Sequence, residues 1–402
     1  VNAVIDLIAD TPMSPVGRIA ARRLGSAAEQ ASVPATEFDD RPIRVLIAPV
    51  NYSGQGAAWA NALERADTRV SARSMAMDVP GGFRFAADLV VPVGVYHNGS
   101  DWQQRQLRAA SSATHVLIEA EEPPFGRLLG RSVEKQASAL LDAGVDVAYL
   151  AHGTDVRLPS RHIAENPMSY FADDSVYRPR AETVAARNID IVLRSGRPLF
   201  VSTPDLLLDL PSATWCPVVV DRSRWHVERT ERPAEAPLRV GHAPSVAAAK
   251  GTPLIMPVLE TLAAEGLIEI TLIQGVASED MPAAFAGVDV VLDQFRTGSY
   301  GVAACEAMAA GCVVVGQVSS QVRQTVQAQT GRDLPVIEAT HLTLEDTLRR
   351  LATEHELEPL RESSREFVHA VHDGRLSAQV LMEGWIQPSP PPRKDHDRAS
   401  RR

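Results

Sequence analysis

Twice along this chain, short β-branched runs alternate with amphipathic helical stretches, and the two series are separated by a proline-containing stretch, residues 231–237, that has no apolar periodicity. This arrangement constrains the fold more than any other feature, because alternating β and α segments build parallel sheets covered by helices. The first series opens with a strand at 44–50, a glycine-containing turn from Asn51 to Gly56 and a helical pattern over 57–65. Further strands are expected at 87–93, 115–119, 145–151 and 199–202, with a helix over 131–143. The second series predicts strands at 238–241, 269–274, 288–292 and 312–315, and helices at 252–265, 281–286 and 302–310.

A chain of 402 residues exceeds what one hydrophobic core organises, so two α/β domains are expected, at 41–230 and 238–355, joined by the linker 231–237. Residues 1–40 read as an N-terminal extension with a helix-like stretch at 19–30, residues 356–386 as C-terminal helices, and 387–402 as a disordered tail whose proline run and mixed charges bury no core. The formal charge of -10 argues against a nucleic-acid partner, which needs a basic face. Three cysteines, Cys216, Cys305 and Cys312, are too few and too irregularly spaced for a disulfide framework or a zinc site, which fits a reducing cytoplasm. The first apolar stretch carries Asp6 and Asp10 and is broken by Pro12 and Pro15, unlike a secretory leader. No apolar run approaches the roughly 20 residues that span a bilayer. The stretch from Arg18 to Arg23 is the candidate for peripheral docking on anionic lipid at the inner face of the plasma membrane.

Open parallel sheets bind ligands beyond the carboxyl ends of their strands, so two facing sheets create a cleft between two sets of loops. In the second half, Arg239 to Ser245 followed by Lys250-Gly251-Thr252 reads as strand end, loop and helix start. Lys250 offers a compact cation for a diphosphate there, and Gly251 a close backbone approach. A solvent-facing lysine at an ordinary helix cap fits the spacing equally well. The stretch Asp293 to Gly311 also follows a strand and opens a helix. Gly298 and Gly301 leave backbone N–H groups accessible at the positive helix end, and Glu306 stands where its carboxylate can accept hydrogen bonds from a ribose cis-diol. An exposed helical glutamate is the plainer reading, and the apolar neighbours Cys305, Ala307 and Met308 weigh against it.

These residues carry a resemblance. Lys250-Gly251 and the run from Glu306 through Ala-Met-Ala to Gly311 resemble the phosphate-binding Lys-Gly and the Glu-Ala-Met-Ala-x-Gly signature of the donor domain in retaining glycosyltransferases of family 4. His242 to Ser245, and Gly298-Ser-Tyr300-Gly301 before the glutamate, are similar to a bacterial branch of it. The resemblance implies the GT-B fold, two facing Rossmann-like domains with a C-terminal helix returning to the first. It further implies transfer of a sugar from a UDP- or GDP-type nucleotide sugar with retention at the anomeric carbon. The donor-binding set it implies is Gly54, Gly56, His242, Ser245, Lys250, Gly298, Tyr300, Gly301, Val302 and Glu306. Two positions depart from the pattern: Gly298 stands where the family commonly has a first glutamate, and His242 where it has an arginine.

In the first half, His152-Gly-Thr-Asp155-Val-Arg157 closes the strand at 145–151 and resembles the His-Gly-Ser/Thr-Asp-x-Arg motif of the same branch. His152, Asp155 and Arg157 form the expected catalytic group, His152 beside the donor sugar and the other two orienting the acceptor or each other. A helix start capped by Asp155, with His152 satisfied by backbone, is the bland alternative. No Asp-x-Asp pair occurs in a folded segment, Asp395-His-Asp397 lying in the tail, so transfer independent of metal, and of any cofactor beyond the nucleotide-sugar co-substrate, is expected. The acceptor stays open among glycan, lipid carrier, protein side chain and small metabolite. So do a nucleotide-sugar epimerase, a sugar phosphorylase and a degenerate protein that binds without turnover.

Overall fold

The computed structural model of the protein describes residues 27–79, 84–225, 227–230, 232–233, 235–353 and 357–387. Most of the N-terminal extension, including Arg18 to Arg23, and the tail from residue 388 with Asp395 and Asp397 lie outside the described residues. Within the extension, Ala27–Ser32 is helical.

Seven strands form the first sheet: β1 (Ile43–Ala48), β2 (Val70–Asp78), β3 (Leu89–Pro92), β4 (His115–Glu119), β5 (Asp146–Ala151), β6 (Leu199–Val201) and β7 (Thr214–Trp215). Every pairing is parallel and the order is β3-β2-β1-β4-β5-β6-β7. The second sheet holds β8 (Leu238–His242), β9 (Ile268–Leu272), β10 (Val290–Leu292), β11 (Val313–Gly316) and β12 (Ile337–Glu338), again parallel, in the order β12-β11-β10-β8-β9. Helices cover both faces, which is why β1 and β11 are continuous apolar runs with Val45, Leu46, Ile47, Val313, Val314 and Val315 all buried. Strand order reverses between β1 and β4 in one sheet and between β8 and β10 in the other. Parallel sheets open a crevice at such points.

After the second sheet the chain returns. Helix Glu358–Val371 packs on helix Val302–Ala309 of the second domain, and helix Arg375–Leu381 lies on helix Gln55–Ala66 of the first. Gly374 makes the crossing, with φ +96 and Ala62 Cβ 2.9 Å from where its own Cβ would stand, so a side chain there is excluded twice over. Leu381, Trp385 and Ile386 then join Trp59 and Phe200 in one buried cluster, each contributing roughly 1.5–3 kcal/mol by burial. The Trp385 indole also donates to Asp146 at 3.0 Å. The expected return of the C-terminal helix is therefore observed. No helix among the described residues is long and apolar enough to cross a membrane.

Candidate functional site

A cavity of about 550 Å³ opens between the two domains. Its first wall is the β1–helix loop and one face of helix Gln55–Ala66, where Gly54, Ala58, Asn61 and Arg65 recur at helical spacing. The opposite wall combines the crossover residues Asp221 and Arg224, the loop Ala277 to Glu279 after β9, and Glu306. Arg224 reaches across to the Ser278 hydroxyl at 2.9 Å, so the crossover is tied to the second domain at the rim. Glu306 belongs to helix Val302–Ala309, whose residues Ala304, Cys305, Ala307 and Met308 are buried and leave only its own side to face the gap. Burial pushes its carboxyl up to about 7, against the pull of Arg224 and Lys250. A carboxyl poised there is suited to receive hydroxyl donors. The helix begins at Gly301 without a side-chain cap, so its first N–H groups have no side-chain acceptor.

Behind this helix start the second domain is tightly self-satisfied. Lys250 ends the helical turn Ala247–Lys250, and its ammonium is paired with Asp293, a buried carboxylate at the end of β10. His242 is wholly buried, donating from Nδ1 to the Leu292 carbonyl at 2.9 Å and accepting at Nε2 from the Thr252 hydroxyl at 2.8 Å. Burial lowers its proton affinity, so the ring is neutral. The loop from Phe295 to Tyr300 is buried because the first domain closes over it. His162 donates from Nε2 to the Thr297 carbonyl at 3.0 Å, and Asn166 to the Arg296 carbonyl at 3.0 Å. Arg296 in turn pairs with Asp173 at 2.7 Å. Tyr300 points into the core, its hydroxyl bonded to His372 Nε2 at 3.2 Å, while His372 Nδ1 donates to Val218 on the crossover.

At the β1/β4 reversal of the first sheet, Glu119 ends β4 wholly buried, with Oε2 accepting from the Asn51 N–H at 3.1 Å and Oε1 3.0 Å from His152 Nε2. Gly56 makes room for it: a Cβ at that position would stand 3.2 Å from Glu119 Oε2. The positive end of helix Gln55–Ala66 therefore already faces an internal anion. The His152 ring lies between Tyr52 and Trp59, at centroid distances of 5.3 and 5.6 Å. Asp155 accepts from the backbone N–H groups of His152 and Gly153. Arg157 is buried and grips Asp205 at 2.6 Å, with Tyr170 as a second partner at 3.3 Å. Burial opposes ionisation of Asp205, and the guanidinium nonetheless holds its carboxyl below the usual range. Burial and the carboxylates of Glu122, Asp155 and Glu119 push the Tyr52 phenol up to about 12.

No protein-family model and no curated protein sequence matches the chain. Solved structures do. Sucrose-phosphate synthase from Thermosynechococcus elongatus superposes with a TM-score of 0.54 over 86% of this chain and 99% of that one, at 12% identity. An alpha-glucosyltransferase in complex with UDP and a 13-mer DNA gives 0.52, covering 85% and 98% at 10% identity. HepE from Anabaena, in complex with UDP and glucose, gives 0.51, covering 84% and 98% at 11% identity. The fold is GT-B.

In the GT-B frame the two sheets face each other across the cavity, and the residues singled out from sequence divide into three groups. Gly54 and Glu306 line the cavity from opposite domains, with Gly301 and Val302 at the start of the same helix as Glu306. His152 stands at the β5 end beside the strand reversal. The third group is used internally. Gly56 admits Glu119 rather than a ligand, His242 and Tyr300 are enclosed by protein partners, and Arg157 is committed to Asp205. Asp155 closes the turn after β5 by accepting from the N–H groups of His152 and Gly153; it caps no helix, since Pro159–Glu165 starts from Leu158 without a side-chain cap, and the His152 ring is held by Glu119 rather than by backbone. Lys250 already has a carboxylate partner. Ser245 is exposed in the loop after β8, and Gly298, with φ +72, bridges to Val318 and lies against Asn166. Glu119 is the functional candidate that sequence reasoning missed; the one available signal was a carboxylate directly after the apolar run Val116 to Ile118, the first of three acidic residues with Glu121 and Glu122.

Proposed function

We propose that this protein transfers a sugar from a UDP- or GDP-type nucleotide sugar to an acceptor hydroxyl, with the donor in the interdomain cavity. The carrying observation is Glu306, set on the cavity wall opposite Gly54 with its carboxyl raised to about 7 by burial. That carboxylate would accept both ribose hydroxyls, charge-assisted bonds that fix the nucleoside. The uncapped start of helix Val302–Ala309 would face the diphosphate and stabilise negative charge as it departs. Two GT-B neighbours support the reading, since HepE holds UDP and glucose and the alpha-glucosyltransferase holds UDP. Retention, with the departing phosphate taking the acceptor proton, and independence from metal complete the proposal. The resemblance in the Glu306 and His152 segments supports retention. The test is to incubate the protein with UDP- and GDP-sugars and candidate acceptors, following nucleoside diphosphate release and the anomeric configuration of the product by NMR.

A second reading has its own observation. Lys250 is neutralised by Asp293, leaving less charge for a diphosphate than the motif implies. Binding of a nucleotide sugar without turnover fits that pairing, and saturable binding with no diphosphate release over any acceptor would favour it.

A further inference from the structure

The buried contact between Glu119 and His152 reaches beyond sugar transfer as such. Glu119 has two oxygens and two donors: Asn51 N–H to Oε2 and His152 Nε2 to Oε1. Its carboxylate is wholly buried against the first turn of helix Gln55–Ala66, where the helix dipole favours the anion, and Gly56 keeps that approach open. An anionic oxygen facing Nε2 requires a proton on Nε2, and in the neutral imidazole this leaves Nδ1 as the acceptor. His152 Nδ1 makes no hydrogen bond to any described residue, and the side chain keeps 9% of its surface exposed.

We propose that Glu119 is a positioning residue that fixes His152 as the Nε2–H tautomer, so that Nδ1 meets the sugar as a hydrogen-bond acceptor for one of its hydroxyls. This rests on the sugar-transfer reading for its role and on the geometry alone for the tautomer. A ring with the opposite tautomer would present N–H to the same hydroxyl, reversing the direction of that bond and turning the hydroxyl's own proton away. The flanking rings of Tyr52 and Trp59 hold the imidazole plane, so the carboxylate decides which nitrogen carries the proton.

Glu119→Gln tests this with little change of shape. A glutamine has one amide oxygen where two donors need acceptors. Asn51 N–H is backbone and keeps the oxygen, so the amide NH2 turns to His152 and drives its proton to Nδ1. In protein labelled with 15N-histidine, long-range 1H–15N spectra should give His152 as Nε2–H in the wild type and as Nδ1–H in E119Q. In the transfer assay E119Q should lower kcat by about 10–100-fold, the loss expected when one hydrogen bond to the reacting sugar is misdirected, with the donor KM little changed. A wild-type His152 protonated on Nδ1, or E119Q turning over at the wild-type rate, overturns the assignment. The tautomer is read in the free protein, so it stands or falls even if E119Q folds poorly. A protein that shows the Nε2–H tautomer but binds no nucleotide contradicts the transferase reading and upholds the Glu119–His152 assignment.

Discussion

Glu306 should make the protein less stable at the pH where it works best. In the folded chain its carboxyl is raised from 4.5 to about 7, chiefly by burial, so the folded state holds a proton that the unfolded chain releases. The sign follows: the stability linked to this proton is fully present in acid, is lost as pH rises from 4.5 through 7, and stays lost above. At about 1.36 kcal/mol per pH unit, the loss is on the order of 3 kcal/mol at pH 8.5 and below about 1 kcal/mol at pH 5. Glu306→Gln removes the titration and keeps the shape. Urea denaturation should find the variant more stable than wild type by about that margin at pH 8.5 and nearly equal at pH 5. Affinity for a nucleotide sugar, whose esterified diphosphate does not titrate in this range, should move the other way, tightening through pH 7 in wild type as the carboxylate forms and staying flat in the variant. If the variant gains no stability at pH 8.5, or keeps the pH dependence of nucleotide-sugar binding, burial of an ionisable group is not what sets Glu306 apart.

Replacing Lys250 by Met strands the buried Asp293 carboxylate and should cost about 3–5 kcal/mol, while the double change with Asp293→Asn should recover most of it; chemical denaturation of the three variants checks this. His162 and His372 are both lowered to about 4 by burial, so the unfolded chain takes up protons first and stability should fall as pH drops from 6.5 toward 4. Thermal unfolding of His162→Gln should show a shallower acid slope than wild type, and an unchanged slope rules out a neutral His162 in the interdomain contact. Transfer should persist in excess EDTA, since the proposal assigns the leaving-group charge to the start of helix Val302–Ala309; abolition by chelation and rescue by a divalent cation would replace that assignment.

Strands β1, β4, β5 and β11 were legible because burial on both faces writes them as unbroken apolar runs. β2 was not: Val70–Asp78 carries Ser71 and Ser74, both fully buried, with Ser74 satisfied by Asp88, and small polar residues in a core strand mimic a loop. The strand expected at 87–93 stops at Pro92, because the chain turns directly from β3 into the helix Val93–Asn98. At the site, periodicity places Glu306 early in a half-buried helix, since that needs only local pattern. Whether a polar strand end faces a ligand or the protein depends on contacts far apart in sequence. His242 meets Leu292, Tyr300 meets His372 and Arg157 meets Asp205, and none of these partners is near in the chain. The same distance hid Glu119, whose meaning comes from Asn51 on one side and His152 on the other.

Calorimetric titration of the protein with UDP and with GDP, repeated on Glu306→Ala, tests the central claim most directly. The account predicts saturable binding of one of them, displaced by the matching nucleotide sugar and weakened about tenfold or more in the variant, the loss expected for a charge-assisted contact. Saturation by neither nucleotide, or unchanged affinity in a folded Glu306→Ala protein, contradicts it.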